Sequence, residues 1–141
     1  MNLHHRSVRT DKAPAAIGPY SQAIVVEELG LVFTSGQIGL DPDSGELVSG
    51  GIEEEFRRVL ANLEAVLLEA GSGLDRIVRA GVYMTDLSAF ATVNRIYGEA
   101  VGDPLPARSA IGVAALPKGA RVEVDLVATL RPREADGRSG D

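Results

Sequence analysis

The chain has 141 residues, 45% of them hydrophobic, and its 20 Asp and Glu outnumber 14 Lys and Arg to give a formal charge of −6. No basic stripe for nucleic acid is present, zero cysteines exclude disulfides, thiolate catalysis and Cys-ligated metals, and no apolar run approaches the ~18 residues of a membrane helix. The polar start Met1 to Lys12 lacks the apolar centre of a signal peptide, so a cytoplasmic protein is expected. One domain spanning 1–141 is the simplest organisation, with a core from about residue 7 to 130 and a polar tail over 131–141 that is expected to be disordered.

In chain order, a short strand is expected around Arg6 to Arg9, and Ala23 to Glu27 and Leu31 to Ser35 read as strands either side of Glu28-Leu29-Gly30. Asp41-Pro42-Asp43-Ser44-Gly45 predicts a tight turn, because Asp bonds its own backbone, Pro presets φ and Gly accepts positive φ. From Ile52 the period changes. Ile52, Phe56, Val59, Leu60, Leu63, Val66, Leu67 and Ala70 follow helical spacing, Glu53/Arg57 and Glu54/Arg58 can pair on the wet face, and Gly71 offers a stop. Ile77 to Thr85 returns to period two with Val78, Ala80, Val82 and Met84 on one face. Ser88 is placed to cap a second helix carrying Phe90, Val93, Tyr97 and Val101. A strand through Arg108 puts Arg108, Ala110 and Gly112 on one face, and a last strand, Arg121 to Leu130, alternates Val122, Val124, Leu126, Ala128 and Leu130 with polar residues.

Strands before, between and after two helices predict an α+β protein, an antiparallel or mixed sheet with both helices packed on one face. The other face would carry Arg79, Gly81 and Tyr83, the small residues around Arg108, and Glu123. That mixture is too polar for a core, and a homo-oligomer burying it would create clefts between subunits. Among these residues Arg108 has a planar fork suited to bidentate capture of a carboxylate, and an interface or surface salt bridge would use it equally well. Other sites fail on inspection: the glycines from Gly36 to Gly51 contain no phosphate-loop pattern, adjacent His4 and His5 point opposite ways in an extended segment, and Ser109 has no histidine partner in the core.

The runs Ala13-Pro14-Ala15-Ala16-Ile17-Gly18-Pro19-Tyr20-Ser21-Gln22-Ala23, Phe33-Thr34-Ser35-Gly36-Gln37, Asn62-Leu63, Val93-Asn94, Pro106-Ala107-Arg108-Ser109 and Leu116-Pro117-Lys118-Gly119-Ala120-Arg121-Val122-Glu123-Val124 resemble the reactive-intermediate deaminase family, the Rid or YjgF-like proteins. The resemblance runs in order over about residues 7 to 130. It implies a homotrimer of chorismate-mutase-like subunits around a central barrel of sheets, with active sites between neighbours. It also implies hydrolysis of 2-imino or 2-enamino acids, such as 2-aminoacrylate, to 2-oxo acids and ammonia, with no cofactor, metal, nucleic acid or membrane.

Carried over residue by residue, the resemblance assigns Arg108 to the substrate carboxylate and Glu123 to positioning or activating water, with Tyr20, Ser35, Gly36, Asn94 and Ala110 around the substrate. Many relatives have cysteine at the last of these positions, so Ala110 removes any role for a thiol. A non-catalytic trimeric binding module for small carboxylates is the alternative, since the same arginine could bind without turnover. Ribonuclease activity, attributed to some relatives, is a third, and the acidic charge counts against it.

Overall fold

Alternating side chains assemble six strands into one mixed sheet in the computed structural model, which describes residues 2–133. β1 (His5–Val8), β2 (Ala23–Val26) and β3 (Leu31–Thr34) form an antiparallel meander. The last strand, β6 (Val122–Thr129), pairs antiparallel with β3 on one side and with β4 (Ile77–Met84) on the other. β5 (Ala107–Gly112) lies parallel to β4 at the edge, and the order is β1-β2-β3-β6-β4-β5. The parallel pair follows from α2 (Phe90–Ala100), which returns the chain over the sheet between its two strands. α1 (Ile52–Ala70) occupies the connection from β3 to β4.

Both helices cover the same face, as expected. Phe56, Leu63, Val66 and Leu67 of α1 and Val93, Ile96 and Tyr97 of α2 pack on Ala80, Val82 and Met84 of β4 and on Val122, Val124, Leu126 and Ala128 of β6. The opposite face is covered by neither helix, and Phe33 and Ile111 stand exposed there. Gly71 ends α1 at φ 92°, the left-handed conformation that glycine adopts without a Cβ penalty.

Four local expectations change. A bulge between Ile77 and Arg79 lets an extra residue oppose β6, so Ile77 is buried and Val78 is turned out, 47% exposed. Asp86, not Ser88, supplies the cap: its carboxylate accepts the Ser88 N–H at 2.9 Å over a 3-10 turn, Leu87–Ala89, that precedes α2. Glu53 and Arg57 do pair, at 3.1 Å, but Arg58 leaves Glu54 and donates to the Asn62 side chain at 3.1 Å. Arg131 is docked, its N–H donating to the Gly71 carbonyl at 2.8 Å and its guanidinium to Asp75 at 2.6 Å, so the ordered chain extends past the expected start of the tail. Residues 134–141 lie outside the described part.

Two buried polar side chains of α1 hold irregular chain to the scaffold. The Asn62 amide donates to the carbonyls of Ile38 and Leu40 at 3.3 and 3.0 Å. The Glu55 carboxylate, fully buried, accepts the Arg121 N–H at 2.8 Å and pairs with the Arg121 guanidinium, fixing the chain just before β6. Asn62→Ala strips both carbonyls of their donor and is expected to cost about 2 kcal/mol, read as a lower denaturant midpoint at unchanged slope.

Candidate active site

Three stretches of chain converge beside the start of β6 and enclose a cleft of about 570 Å³. The first is the segment through Tyr20, held by Gln22, whose side-chain oxygen accepts the Thr10 N–H at 2.7 Å while its amide donates to the carbonyls of Thr10 and Pro14 at 3.1 and 2.8 Å. The second runs from Ser35, and its Gln37 exchanges backbone hydrogen bonds with Val124 at 2.9 and 3.1 Å. The third is the turn at Pro117-Lys118, where the Lys118 ammonium reaches the Gly45 carbonyl at 3.3 Å. Ile17, Ile38, Leu40, Pro42 and Pro117 give the cleft apolar walls.

Tyr20, Ser35, Gly36 and Glu123, four of the residues that the resemblance suggests for the site, line this cleft together. Ser35 donates its backbone N–H to Gln22 at 3.0 Å and its hydroxyl to the Ser21 carbonyl at 2.7 Å, so it offers a ligand oxygen lone pairs and not a proton. Gly36 has a steric role, because a Cβ there would lie 2.1 Å from Glu123 Oε2. The half-buried Glu123 carboxyl is therefore seated against bare backbone. Burial first, and the neighbouring Asp125 charge second, raise its pKa above the usual 4.5. A carboxyl so placed can both accept and return a proton more readily than an exposed glutamate.

Arg108 lies elsewhere. The expectation that it shares the uncovered face with Glu123 is overturned by the parallel register, which sets Arg108 beside Ala80 and Ala110 beside Val82, both on the helix side. The guanidinium carbon sits 5.2 Å from the Phe90 ring centre and 4.9 Å from that of Tyr97, within cation–π range. Among the described residues the arginine ion pairs involve Arg6, Arg57, Arg95, Arg121 and Arg131, not Arg108. Asn94 lies between the two rings at helical i+4 and i−3 spacing, exposed on the α2 stripe that flanks Arg108. The Tyr97 hydroxyl is buried without a partner among the described residues, and burial raises its pKa.

The site residues thus fall into two sets, Tyr20, Ser35, Gly36 and Glu123 on one face and Arg108, Asn94 and Ala110 on the other. β5 and β6 flank β4, so their strands lie about 10 Å apart with the two side chains directed oppositely. Sequence reasoning missed the aromatic seat of Arg108. Phe90 and Tyr97 read as an apolar helix stripe, and only their spacing around Asn94 signalled that they share its face.

Residues 10–130 match the family described as Endoribonuclease L-PSP. The human protein named 2-iminobutanoate/2-iminopropanoate deaminase is 47% identical over 131 residues, 93% of this chain and 94% of its own length. The chain belongs to the reactive-intermediate deaminase family. Among solved Rid structures, RidA from an Antarctic Psychrobacter is 42% identical with a TM-score of 0.84, covering 89% of this chain and 99% of its own. TdcF from E. coli with bound serine is 35% identical with a TM-score of 0.81, at 89% and 99% coverage.

A Rid subunit whose Glu123 depends on a bare Gly36 makes a simple expectation. Gly36→Ala pushes the flexible end of Glu123 outward into water, so its titration midpoint, followed by carboxyl-carbon NMR, falls toward the ordinary glutamate value while the circular dichroism spectrum is unchanged.

Proposed function

We propose that the protein hydrolyses reactive 2-imino acids and their 2-enamino tautomers, 2-aminoacrylate among them, to 2-oxo acids and ammonia. The sites lie between the subunits of a cytoplasmic homotrimer built of chorismate-mutase-like domains around a central barrel of sheets. One observation carries this reading: an arginine seated on aromatic rings without an anionic partner among the described residues and a carboxyl of raised proton affinity stand on opposite faces of the same chain. Neither can reach a small substrate together with the other within one chain. Two copies can bring the uncovered face of one to the edge strand of the next. The name of the human relative and the serine held by TdcF, an amino acid with the carbon frame of 2-aminoacrylate, support the substrate class.

The chemistry follows from the groups. Arg108 of one subunit pairs with the substrate carboxylate through two parallel N–H donors, which orients the adjacent C=N carbon. The Glu123 carboxylate of a neighbour takes a proton from water as the water oxygen attacks that carbon of the iminium. The carboxylic acid so formed gives the proton to nitrogen, Glu123 then removes the hydroxyl proton as the C–N bond breaks, and it passes that proton to the departing ammonia, leaving a 2-oxo acid, ammonium and the carboxylate restored. Tyr20 and the apolar walls exclude bulk water, while Ser35 and Gly36 hold the ligand against the strand end. The steps need water and a proton shuttle, with no cofactor. The description of the family as an endoribonuclease supports a ribonuclease, and a charge of −6 opposes it.

Release of 2-oxo acid from freshly generated 2-aminoacrylate tests the reading, and ligand binding without release would leave only a binding module. Arg108→Ala and Glu123→Gln are each expected to lose about 100-fold or more in turnover. Co-refolding the two variants in equal amounts is expected to restore about a quarter of parent activity, because that share of subunit pairs retains both groups when they come from different chains. No recovery would place both groups in one subunit.

Glu123→Gln has a separate signature. A carboxyl whose pKa is raised in the fold binds protons more strongly there than in the unfolded chain, so its contribution falls as pH rises from about 4.5 through the raised value. At pH 7 the inactive Glu123→Gln protein is expected to melt no lower than the parent, and above that window higher, by differential scanning calorimetry.

A further inference from the structure

Glu123 stands directly across the β4–β6 ladder from Tyr83, and Asp125 across from Gly81. A phenol opposite a carboxylate is within reach to donate to it, since directly opposed side chains start about 5 Å apart. Tyr83 does otherwise. Its hydroxyl passes over Gly81 and donates to Asp125 Oδ2 at 3.1 Å. The missing Cβ makes that path: one added at Gly81 would lie 2.6 Å from Asp125 Oδ1 and 2.8 Å from the Tyr83 oxygen. Glu123 meanwhile turns the other way, onto Gly36. Two glycines, Gly81 in β4 and Gly36 in the segment after β3, therefore let neighbouring carboxylates point apart, one bonded to the phenol and one left to the cleft.

We propose that Gly81, Tyr83 and Asp125 form a positioning set for Glu123, drawing the phenol donor away from its carboxyl and fixing a like charge beside it. This rests on the catalytic role proposed for Glu123. A tyrosine donating to Glu123 would stabilise its anion and weaken it as a base, and the same donor bonded to Asp125 instead holds the neighbouring negative charge in place. The other groups facing Glu123 are committed elsewhere or stand at the rim. Arg79 of β4 donates to the Ser109 hydroxyl at 3.1 Å, Lys118 reaches the Gly45 carbonyl at 3.3 Å, and Asp43 and Tyr20 line the cleft mouth. Among the described residues Asp125 is accordingly the charge that acts on the Glu123 carboxyl alongside burial.

Asp125→Asn keeps the size and the acceptor for Tyr83 and removes only the charge. Carboxyl-carbon NMR of Glu123 in the intact protein is expected to show its midpoint moving to lower pH, and the acid limb of kcat/KM for 2-aminoacrylate is expected to follow. One pH unit below the parent midpoint, the variant should keep about threefold more of its plateau rate than the parent does. Gly81→Ala displaces only flexible side-chain ends, sends the phenol toward Glu123, and should also lower the midpoint while cutting kcat more than it raises KM. An unmoved Glu123 midpoint in both folded variants overturns the positioning set. A midpoint that responds in a parent protein showing no turnover of any imino acid overturns the deaminase reading instead, so the two failures are distinct.

Discussion

The pairing of β6 with β3 on one side and β4 on the other fixes which side chains enter the core, and the remaining features inherit that division. Val122, Val124, Leu126 and Ala128 descend among the helices, which leaves Glu123 and Asp125 on the face that no helix covers. A slip of one residue would drive two carboxylates into an apolar core without partners, at a cost far above any gain from alternative pairing, so the register is firmly specified. The bridge between Gln37 and Val124 ties the segment after β3 to β6 one residue out of the β3–β6 register, and through it Gly36 is brought under Glu123.

Loops have no hydrophobic core of their own, and the cleft walls are mostly loops. Their order comes from buried polar side chains that belong to the scaffold. Gln22 satisfies the backbone of the segment before Tyr20, and Asn62 satisfies the carbonyls at Ile38 and Leu40. Glu55 anchors the chain at Arg121, two residues ahead of Glu123, and the Gly39 backbone packs tightly against the Glu55 backbone. Each such group is costly to bury unpaired, so its bonds hold irregular chain in a single arrangement. The cleft is rigid because its walls complete hydrogen bonds that the core requires.

What could be read from the sequence was whatever depends on a single element. The α1 stripe, its stop at Gly71, the turn at Asp41 to Gly45 and the alternation of β6 are local patterns, and each appears where it was expected. Features settled by a partner were not readable. The bulge that turns Val78 outward is decided by β6, and the choice of Arg58 between Glu54 and Asn62 is decided by where the amide of Asn62 is drawn by Ile38 and Leu40. For Arg108, alternation shows that it shares a face with Ala110 but not which face, and the parallel register with β4 makes that choice. The family resemblance named the candidate site residues without showing that they form two sets.

The division of those sets has an electrostatic reason. An arginine within about 4–6 Å of Glu123 would pull its proton affinity down and hold it as a permanent anion, a salt bridge with little use as a proton shuttle. The same contact would neutralise Arg108 and leave nothing for a carboxylate to bind. Opposite faces keep the cation and the base from quenching one another within a subunit, and the aromatic rings of Phe90 and Tyr97 support the guanidinium without supplying a counter-charge. In the proposed site shared by two subunits, the substrate's own carboxylate would stand between them. Arg108 would then be balanced by the ligand and Glu123 would retain its raised affinity, so under the proposed function the full electrostatic arrangement would exist only while substrate is bound.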